Sequence, residues 1–263
     1  MRRSLRTSTG GAIRRTRPLA FTFNGKSYWG FEGDTLASAL LANNVRTIHR
    51  SFKYHRPRGV MGSGAEEPNA IVQLGRGPST TPNLRATQVE LYDGLTARSV
   101  SGWPSIRFDL YALTGLLGRL LPAGFYYKTF MRPRFLWSWY EHHIRKAAGL
   151  GRAPSESDLD HYDKFNIHCD VLVVGGGPTG LMAALAAGRA GARIILADEQ
   201  AEMGGSLLSS TGSIGGNKPT DWVKQVAGEL TRMPEVMLLP RSTVTGYYDH
   251  NFLVINERRT DHL

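Results

Sequence analysis

Three glycines in the second half of the sequence have the spacing of a turn that binds nucleotide phosphates. In the stretch DVLVVGGGPTGLMAALAAGRAGARIILADEQ, Gly175, Gly177 and Gly180 follow an apolar run and precede an Ala-rich segment. Between a strand and a helix, such glycines allow a sharp turn, a close backbone approach to a diphosphate and tight helix–strand contact, in that order. We therefore predict that the amide groups around Pro178, Thr179 and Gly180 bind phosphates at the positive end of the helix dipole.

A second apolar run ends in acidic residues that are suited to binding a ribose. Asp198 closes the stretch RIILAD, and Glu199 and Gln200 come directly after it. A carboxylate at the end of the second strand of such a unit accepts hydrogen bonds from a ribose diol. Because no Arg or Lys stands just after Asp198 to bind a 2′-phosphate, the sequence predicts the adenosine end of NAD or FAD rather than of NADP.

Glycines just beyond these acids admit two interpretations. Gly204, Gly205 and Ser206 could bring backbone amides and a hydroxyl group to the second phosphate or ribose of a dinucleotide, or they could form an ordinary loop. The phosphate-binding role is a hypothesis, and it makes Gly205 and Ser206 candidate site residues.

The remaining reactive side chains support neither catalysis nor metal binding. His142 and His143 are adjacent and would point to different faces of a helix, which disfavours a shared metal ion. Cys169 is the only cysteine, so the sequence excludes an internal disulfide and an iron–sulfur cluster within this chain, and a cytoplasmic location is expected. No apolar run approaches the ~18 residues of a membrane span. We assign no catalytic residue and no metal ligand.

The hydrophobic pattern predicts the elements that must position the candidate site. Residues 170–174 and 193–198 are predicted strands and residues 178–190 a predicted helix, which together make one βαβ unit. A helix from Pro219, a strand in EVMLLP and a hairpin that turns at residues 249–251 follow. The predicted fold of this half is an incomplete Rossmann-like dinucleotide-binding domain.

The first half of the sequence predicts an α+β domain. The stretch PLAFTFNGKSYWGF alternates apolar and polar residues around an Asn-Gly pair, which is the strongest short hairpin signal. Asp34 is expected to cap a helix over residues 35–42, and strands are expected at residues 70–74 and 88–92. This succession resembles a β-grasp domain of the plant-ferredoxin kind.

Charge divides the chain further, because the first 60 residues carry the whole net charge of +10. Such an excess could bind nucleic acid, but a solvated arm that docks on an acidic partner is the favoured interpretation. We predict a disordered basic arm over residues 1–18, a ferredoxin-like domain over 19–100, an aromatic and basic connecting segment with a linker over 101–165, and a partial dinucleotide-binding domain over 166–263.

Several longer motifs resemble the α subunit of heterotetrameric sarcosine oxidase and related amine and amino-acid oxidases. They are GDTLASALLANNV, RSFKYHRPRGVMGSGAEEPNA, FYYKTFMRP, GGSLL and the glycine-rich stretch quoted above. The resemblance implies a ferredoxin-like front domain followed by the first part of a glutathione-reductase-type dinucleotide-binding domain. By motif position it implies a phosphate site at Gly175, Gly177, Pro178, Thr179 and Gly180, a ribose site at Asp198, Glu199 and Gln200, and weaker contacts with phosphate and adenine at Ser206 and Val244.

The resemblance also implies an activity that belongs to an assembly. In that family the α subunit binds NAD, an amine is oxidised at FAD in a flavoprotein β subunit, and electrons reach oxygen through FMN at the α/β boundary. The expected protein is the N-terminal portion of such a subunit, associated with the β subunit and smaller subunits. The assembly would demethylate sarcosine to glycine with formation of H2O2 and transfer of a one-carbon unit to tetrahydrofolate.

Two departures from the family limit this expectation. The loop HRPRGVMGSGAEEPNA has no cysteine, so no iron–sulfur cluster is expected, and the sequence stops at NERRTDHL before the last strand of the dinucleotide-binding domain. The chain therefore looks truncated and is expected to be inactive alone. Two alternatives stay open: a subunit of a related opine oxidase or proline dehydrogenase that binds FAD, and a non-catalytic assembly module.

Overall fold

The computed structural model describes residues 4–120, 124 and 132–260 of a mixed α/β chain. These residues form two compact units. The front unit comprises the described residues within 1–7 and 15–160, and the rear unit comprises those within 8–14 and 161–263. The domain boundaries predicted from the sequence stay predictions.

The front unit is built on a five-stranded mixed sheet. Its regular elements are β1 (Arg14–Phe23), β2 (Lys26–Glu32), α1 (Leu36–Ala42), β3 (His49–Arg50), β4 (Pro57–Arg58), β5 (Ile71–Leu74), β6 (Thr81–Arg85), β7 (Thr96–Ser99) and α2 (Trp137–Ala147). Short 3₁₀ helices span Gly64–Glu66, Gly77–Ser79, Leu110–Leu120 and Arg134–Leu136. The sheet order is β2-β1-β7-β5-β6, with β1 parallel to β7 and β5 antiparallel to both of its neighbours, while β3 and β4 pair separately.

The β1–β2 turn follows the sequence prediction. Asn24 and Gly25 have φ of 50° and 74°, the positive values that a two-residue hairpin turn requires. Helix α1 lies against the sheet because Leu36 and Leu40, four residues apart, share one helical face and are both fully buried. They join Phe21 and Phe23 of β1 in the core of this unit.

The start of α1 differs from the prediction that Asp34 caps it. Thr35 is the N-cap residue, and its side chain accepts a hydrogen bond from the Ser38 N–H while the Ser38 hydroxyl accepts one from the Thr35 N–H. The buried Asp34 carboxylate instead binds the Arg6 guanidinium at 2.6 and 2.8 Å and the Phe31 N–H at 2.9 Å. A buried carboxylate needs hydrogen-bonding or charged partners, and the Arg6 guanidinium supplies both charge and two hydrogen bonds.

The same contact corrects the prediction of a disordered arm over residues 1–18. Arg6 is fixed by its ion pair with Asp34, and β1 begins at Arg14, inside the predicted arm. The basic composition therefore predicted disorder wrongly, because Arg6 forms an ion pair with a buried carboxylate and the segment from Arg14 joins the sheet.

The predicted strand at residues 88–92 is also wrong. This segment makes one isolated bridge, between Glu90 and Thr35, and its Val89 and Leu91 are buried against the start of α1. The Leu36 N–H donates to the Val89 carbonyl at 2.8 Å. The alternation of apolar residues therefore marks burial, whereas the sheet takes its strand from the polar segment of β7.

The rear unit is built on a three-stranded parallel sheet. Its elements are β8 (Val171–Val174), α3 (Pro178–Arg189), β9 (Ile194–Ala197), a 3₁₀ helix (Gly205–Leu208), α4 (Pro219–Thr231), β10 (Val236–Leu239), β11 (Ser242–Tyr248), a 3₁₀ turn (Asp249–Asn251) and β12 (Phe252–Glu257). The sheet order is β10-β9-β8, and β11 and β12 form an antiparallel hairpin. These elements agree with those predicted from the sequence to within a residue or two.

The core of the rear unit lies between the sheet and its two helices. Leu181, Ala184 and Leu185 of α3 recur at helical spacing and are buried against Val223 and Val226 of α4. All four residues of the central strand β9 are buried, as expected for a parallel strand. The edge strand β8 is more exposed than its apolar sequence predicts, with Val174 62% exposed.

Within the described residues, no helix has the length and apolar character needed to cross a membrane. The motif FYYKTFMRP falls almost entirely outside them.

Candidate functional site

Strand β8 runs directly into a glycine turn and then into α3. Gly175 has a φ of +101°, in the region that favours glycine, so the chain can turn sharply off the strand. Gly177 is the N-cap residue of α3, Pro178 follows it, and no side chain caps this helix end. The N–H groups of the first turn, including those of Thr179 and Gly180, therefore lack intrahelical acceptors and lie at the positive end of the helix dipole.

Gly177 and Gly180 differ in the space around them. A methyl group on Gly180 would overlap the carbonyl oxygen of Gly175 and lie 3.3 Å from the Val173 side chain, so only glycine lets α3 lie this close to β8. Nothing lies within 4 Å of the same position on Gly177, whose φ of −70° suits any residue. The turn is closed toward the sheet at Gly180 and open at Gly177.

The second glycine pair lies against this turn. The Gly204 N–H donates a hydrogen bond to the carbonyl oxygen of Gly176 at 2.7 Å, and a methyl group on Gly205 would lie 3.0 Å from the Gly177 Cα. Gly205 and Ser206 are both exposed. The fold thus brings together two glycine segments that are separated in sequence. Their predicted contact with a second phosphate stays a prediction.

Asp198 lies at the same corner, but its carboxylate is already engaged. Its side chain is buried, with 8% of the residue exposed. Oδ2 accepts a hydrogen bond from the Gly176 N–H at 2.5 Å, and Oδ1 accepts one from the Gln200 N–H at 2.7 Å. The sequence placed this carboxylate on a ribose diol, whereas the structure turns it back onto the protein backbone.

The other predicted contacts surround the corner less directly. Glu199 and Gln200 are half-buried and directly follow Asp198. Their carbonyl oxygens accept hydrogen bonds from Arg258 and Arg241, at 2.8 and 2.9 Å, which fixes the backbone of this loop. Val244 is half-buried in β11. Its predicted adenine contact, like the ribose contacts of Glu199 and Gln200, stays a prediction.

Two residues of the corner escaped the sequence analysis. Gly176 is buried, and a methyl group there would overlap the Met203 sulfur and lie 3.2 Å from Asp198 Oδ2. Met203 is itself buried. The triple glycine at 175–177 is the signal that could have revealed this crowding, because the spacing rule leaves the middle position free.

Other titratable groups are held in closed arrangements. His55 Nδ1 lies 2.8 Å from Asp109 Oδ2, and both residues are buried. Burial, together with the smaller effect of the neighbouring His55, lowers the pKa of His49 to about 4. Among the described residues, no group of three or more His, Cys, Asp or Glu side chains is arranged to hold a metal ion.

Another buried carboxylate organises the loop between β4 and β5. Glu67 is fully buried, and its Oε2 accepts hydrogen bonds from the Met61 and Gly62 N–H groups at 2.6 and 2.7 Å. Its Oε1 accepts them from Asn69 and Ala70 at 2.7 and 3.1 Å. Burial opposes the charged form, but the four N–H groups together outweigh it and hold the pKa of Glu67 below its ordinary value.

Two family models match separate parts of the chain. Residues 16–102 match the family described as a 2Fe-2S iron-sulfur cluster binding domain, and residues 170–246 match the family of FAD dependent oxidoreductases. The first match covers most of the five-stranded sheet, and the second covers the glycine corner.

Particular relatives extend the similarity to the whole chain. The sarcosine oxidase α subunit of Rhizobium meliloti (strain 1021) is 55% identical over 99% of this chain, and that of Corynebacterium sp. (strain U-96) is 36% identical over 100% of it. The predicted resemblance to sarcosine oxidase α subunits is therefore confirmed. The chain spans 26% and 23% of the length of these two relatives, or about a quarter.

A solved structure shows a similar fold. The L-proline dehydrogenase of P. horikoshii superposes with a TM-score of 0.51 over 92% of this chain and 37% of its own, at 15% sequence identity. At that identity the likeness concerns the fold alone.

These comparisons correct the cofactor prediction. The expectation of no iron–sulfur cluster is contradicted by the match of residues 16–102 to a cluster-binding family, and NAD gains no support, since the family matched by the rear unit is FAD-dependent. The matched front segment contains no cysteine, so it does not itself supply the thiolates that usually hold such a cluster.

Proposed function

We propose that the rear unit binds the ADP portion of FAD at the glycine corner. The observation that carries this proposal is the uncapped start of α3, whose first-turn N–H groups lie beside the open side of Gly177. Such a helix end binds phosphate through its amide hydrogens and its dipole. The match of residues 170–246 to FAD-dependent oxidoreductases supports FAD as the dinucleotide.

In this proposal each part of the corner contacts a different part of the ligand. Thr179 and Gly180 donate N–H groups to the diphosphate, and Gly177 and Pro178 leave the space for it. The exposed Ser206 hydroxyl and the Gly205 N–H reach the second phosphate, since Gly205 lies against Gly177. Because Asp198 binds backbone, the ribose diol falls to the neighbouring Glu199 and Gln200. Val244 lies on the adenine side. The fold class proposed for this unit is Rossmann-like, and that of the front unit is β-grasp.

We further propose that the chain acts within an oxidoreductase assembly of the sarcosine oxidase type. The identity to two α subunits over nearly the whole chain supports this. Partner subunits would then bear the further flavins and the amine site. The assembled reaction would convert sarcosine to glycine with oxygen as acceptor, forming H2O2, and pass the one-carbon unit to tetrahydrofolate.

Ligand binding to the 263-residue chain tests the first proposal. We expect FAD and ADP to bind and Gly177→Ala to weaken both by about 10- to 100-fold, because a methyl group enters the space where the diphosphate makes charged hydrogen bonds. The melting temperature should not change, since that space is open in the protein. Calorimetric titration gives the affinities, and flavin absorbance after purification identifies retained FAD.

Gly228→Ala is the matched control for this experiment. Gly228 lies within α4, nothing lies within 4 Å of its added methyl group, and Ala favours helix, so both affinities should be unchanged. A wild-type chain that binds neither FAD nor ADP would show that the corner is not a nucleotide site. Binding of NAD in preference to FAD would contradict the choice of dinucleotide.

Peroxide formation tests the assembly proposal separately. A complex purified through this chain should produce H2O2 when sarcosine is added. A complex that consumes another amine but not sarcosine would contradict the proposed substrate, whatever the result for FAD.

A further inference from the structure

The contacts of Asp198 point to a role that the sequence did not suggest, and this inference rests on the proposed nucleotide site. We propose that Asp198 is a positioning residue: its buried carboxylate holds the glycine turn in the shape that presents N–H groups to the phosphates, and it does not bind the ribose itself.

The first support is the number of segments that meet at this one residue. Its carboxylate joins the Gly176 N–H to the Gln200 N–H, so it links the glycine turn to the loop after β9. Its own N–H donates to the Leu239 carbonyl at 3.0 Å, and its carbonyl accepts from the Ser242 N–H at 2.7 Å. Asp198 is therefore anchored to the end of β10 and the start of β11 before its side chain reaches the turn.

The second support is the way in which the Gly176 peptide is held. The Gly176 N–H donates to Asp198, and the Gly176 carbonyl accepts from the Gly204 N–H. The Met203 sulfur lies on the side where a side chain on Gly176 would be. The two hydrogen bonds hold the peptide groups on either side of the Gly176 Cα. They thereby fix the direction of the N–H groups that follow.

The third support is the low exposure of Asp198. With 8% of the residue exposed and a backbone N–H on each oxygen, its carboxylate has little surface with which to meet a ligand diol. Glu199, the next residue, is half-buried in the same loop and is the acid that the proposal assigns to the sugar. Two adjacent acids then have separate tasks, one on the protein and one on the ligand.

A comparison of ADP with adenosine separates these tasks. We expect Asp198→Ala to weaken ADP binding by about 10- to 100-fold and to change adenosine binding less than threefold, because only ADP uses the glycine turn. Asp198→Asn keeps one acceptor oxygen and should recover part of the ADP affinity. Glu199→Gln should weaken ADP and adenosine by the same factor, because both ligands contain the ribose.

Amide hydrogen exchange tests the two hydrogen bonds of the Asp198 carboxylate without any ligand. In the wild-type chain the Gly176 and Gln200 amides should be protected, and in Asp198→Ala both should exchange faster while the amides of the central strand β9 keep their protection. Loss of protection throughout the rear unit would indicate general unfolding, and the graded ADP affinity of the folded Asp198→Asn variant then decides the question.

Three results would overturn the inference. They are fast exchange at Gly176 in the wild-type chain, equal loss of ADP and adenosine affinity in the Asp198 variants, and full ADP affinity in Asp198→Ala. If the wild-type chain binds neither ligand, the nucleotide proposal is wrong and the phosphate-positioning role is wrong with it. Protected Gly176 and Gln200 amides would in that case still show the hydrogen bonds of the Asp198 carboxylate.

Discussion

Each unit of this protein has a buried carboxylate that gathers backbone N–H groups, and the two differ in what surrounds them. Glu67 in the front unit accepts four N–H groups from residues 61–70 and is fully buried. Asp198 in the rear unit accepts two, beside a helix start whose N–H groups are uncapped. The first arrangement is complete within the chain, whereas the second lies beside the helix start that we propose binds a ligand.

The contrast shows why a buried acid alone does not identify a site. A carboxylate that receives N–H groups on both oxygens stabilises a loop in either setting. What indicates a site is a set of backbone N–H groups beside the carboxylate that have no acceptor within the chain's secondary structure. Around Glu67 the loop turns its N–H groups inward, and around Asp198 the first turn of α3 directs its own outward.

The largest effect is expected from removing the Glu67 carboxylate. Glu67→Ala would leave four N–H groups without their acceptor, and the free energy of unfolding should fall by roughly 3 kcal/mol or more. Glu67→Gln keeps one acceptor oxygen and should lose less. Urea unfolding of the chain gives both values.

The neighbouring Glu66 supplies the control, because it is exposed. Glu66→Ala should change the unfolding free energy by less than about 0.5 kcal/mol. Equal stability of Glu67→Ala and Glu66→Ala would remove the contrast between the two carboxylates.

A smaller loss of stability is expected when a methyl group is added between α3 and β8. Gly180→Ala would push α3 away from β8, because the methyl group meets the Gly175 carbonyl, and the unfolding free energy should fall by about 1–3 kcal/mol. Gly177→Ala should be nearly neutral by the same urea measurement. If both substitutions destabilised equally, the turn would not be open on one side and closed on the other.

The front unit should also show an acid-sensitive stability that begins at mild pH. The pKa of His49 is lowered to about 4 by burial, so between about pH 6.5 and 4 the unfolded chain binds a proton that the folded chain does not. Stability should therefore fall as the pH falls through this window. Protonation of Glu67 lowers the stability in the same direction at lower pH. Because its pKa is depressed in the folded protein, the stability that the ionised carboxylate contributes is lost as the pH falls.

Thermal melts of wild type and His49→Gln at pH 7 and pH 5 measure this effect. The drop in melting temperature between the two pH values should be smaller in the variant, which has no group to protonate there. An unchanged drop would assign the acid sensitivity to other groups.

The smallest effect is expected at the exposed ion pair between Asp170 and Arg193, at the start of the rear sheet. The Arg193 guanidinium lies 2.6 Å from Asp170 Oδ1 and holds the pKa of Asp170 down to about 2. Asp170→Asn should lower the melting temperature slightly at low salt and hardly at all at high salt, because exposed charges are screened. A large loss at high salt would mean that the backbone contact to Arg193 matters more than the charge.

Local sequence signals predicted the rear unit well, because its elements follow directly from short patterns. The apolar runs of β8 and β9, the helix between them and the hairpin at residues 249–251 all formed near the expected positions. The strands of the front unit were harder to predict from the sequence. The segment around Leu91 has the alternation of a strand but packs as an irregular buried segment, and the polar β7 becomes a strand only because it lies between β1 and β5.

The sequence by itself determined where the chain turns and which face of α1, α3 and α4 is buried, since glycine conformations and apolar periodicity depend on neighbouring residues. Only the tertiary structure decided the partners of Arg6, Glu67 and Asp198. A buried charge is stabilised by whichever donors the completed fold brings within hydrogen-bond distance. Asp198 and Gly176 meet because β8 and β9 lie side by side, and no spacing rule in the sequence shows this contact.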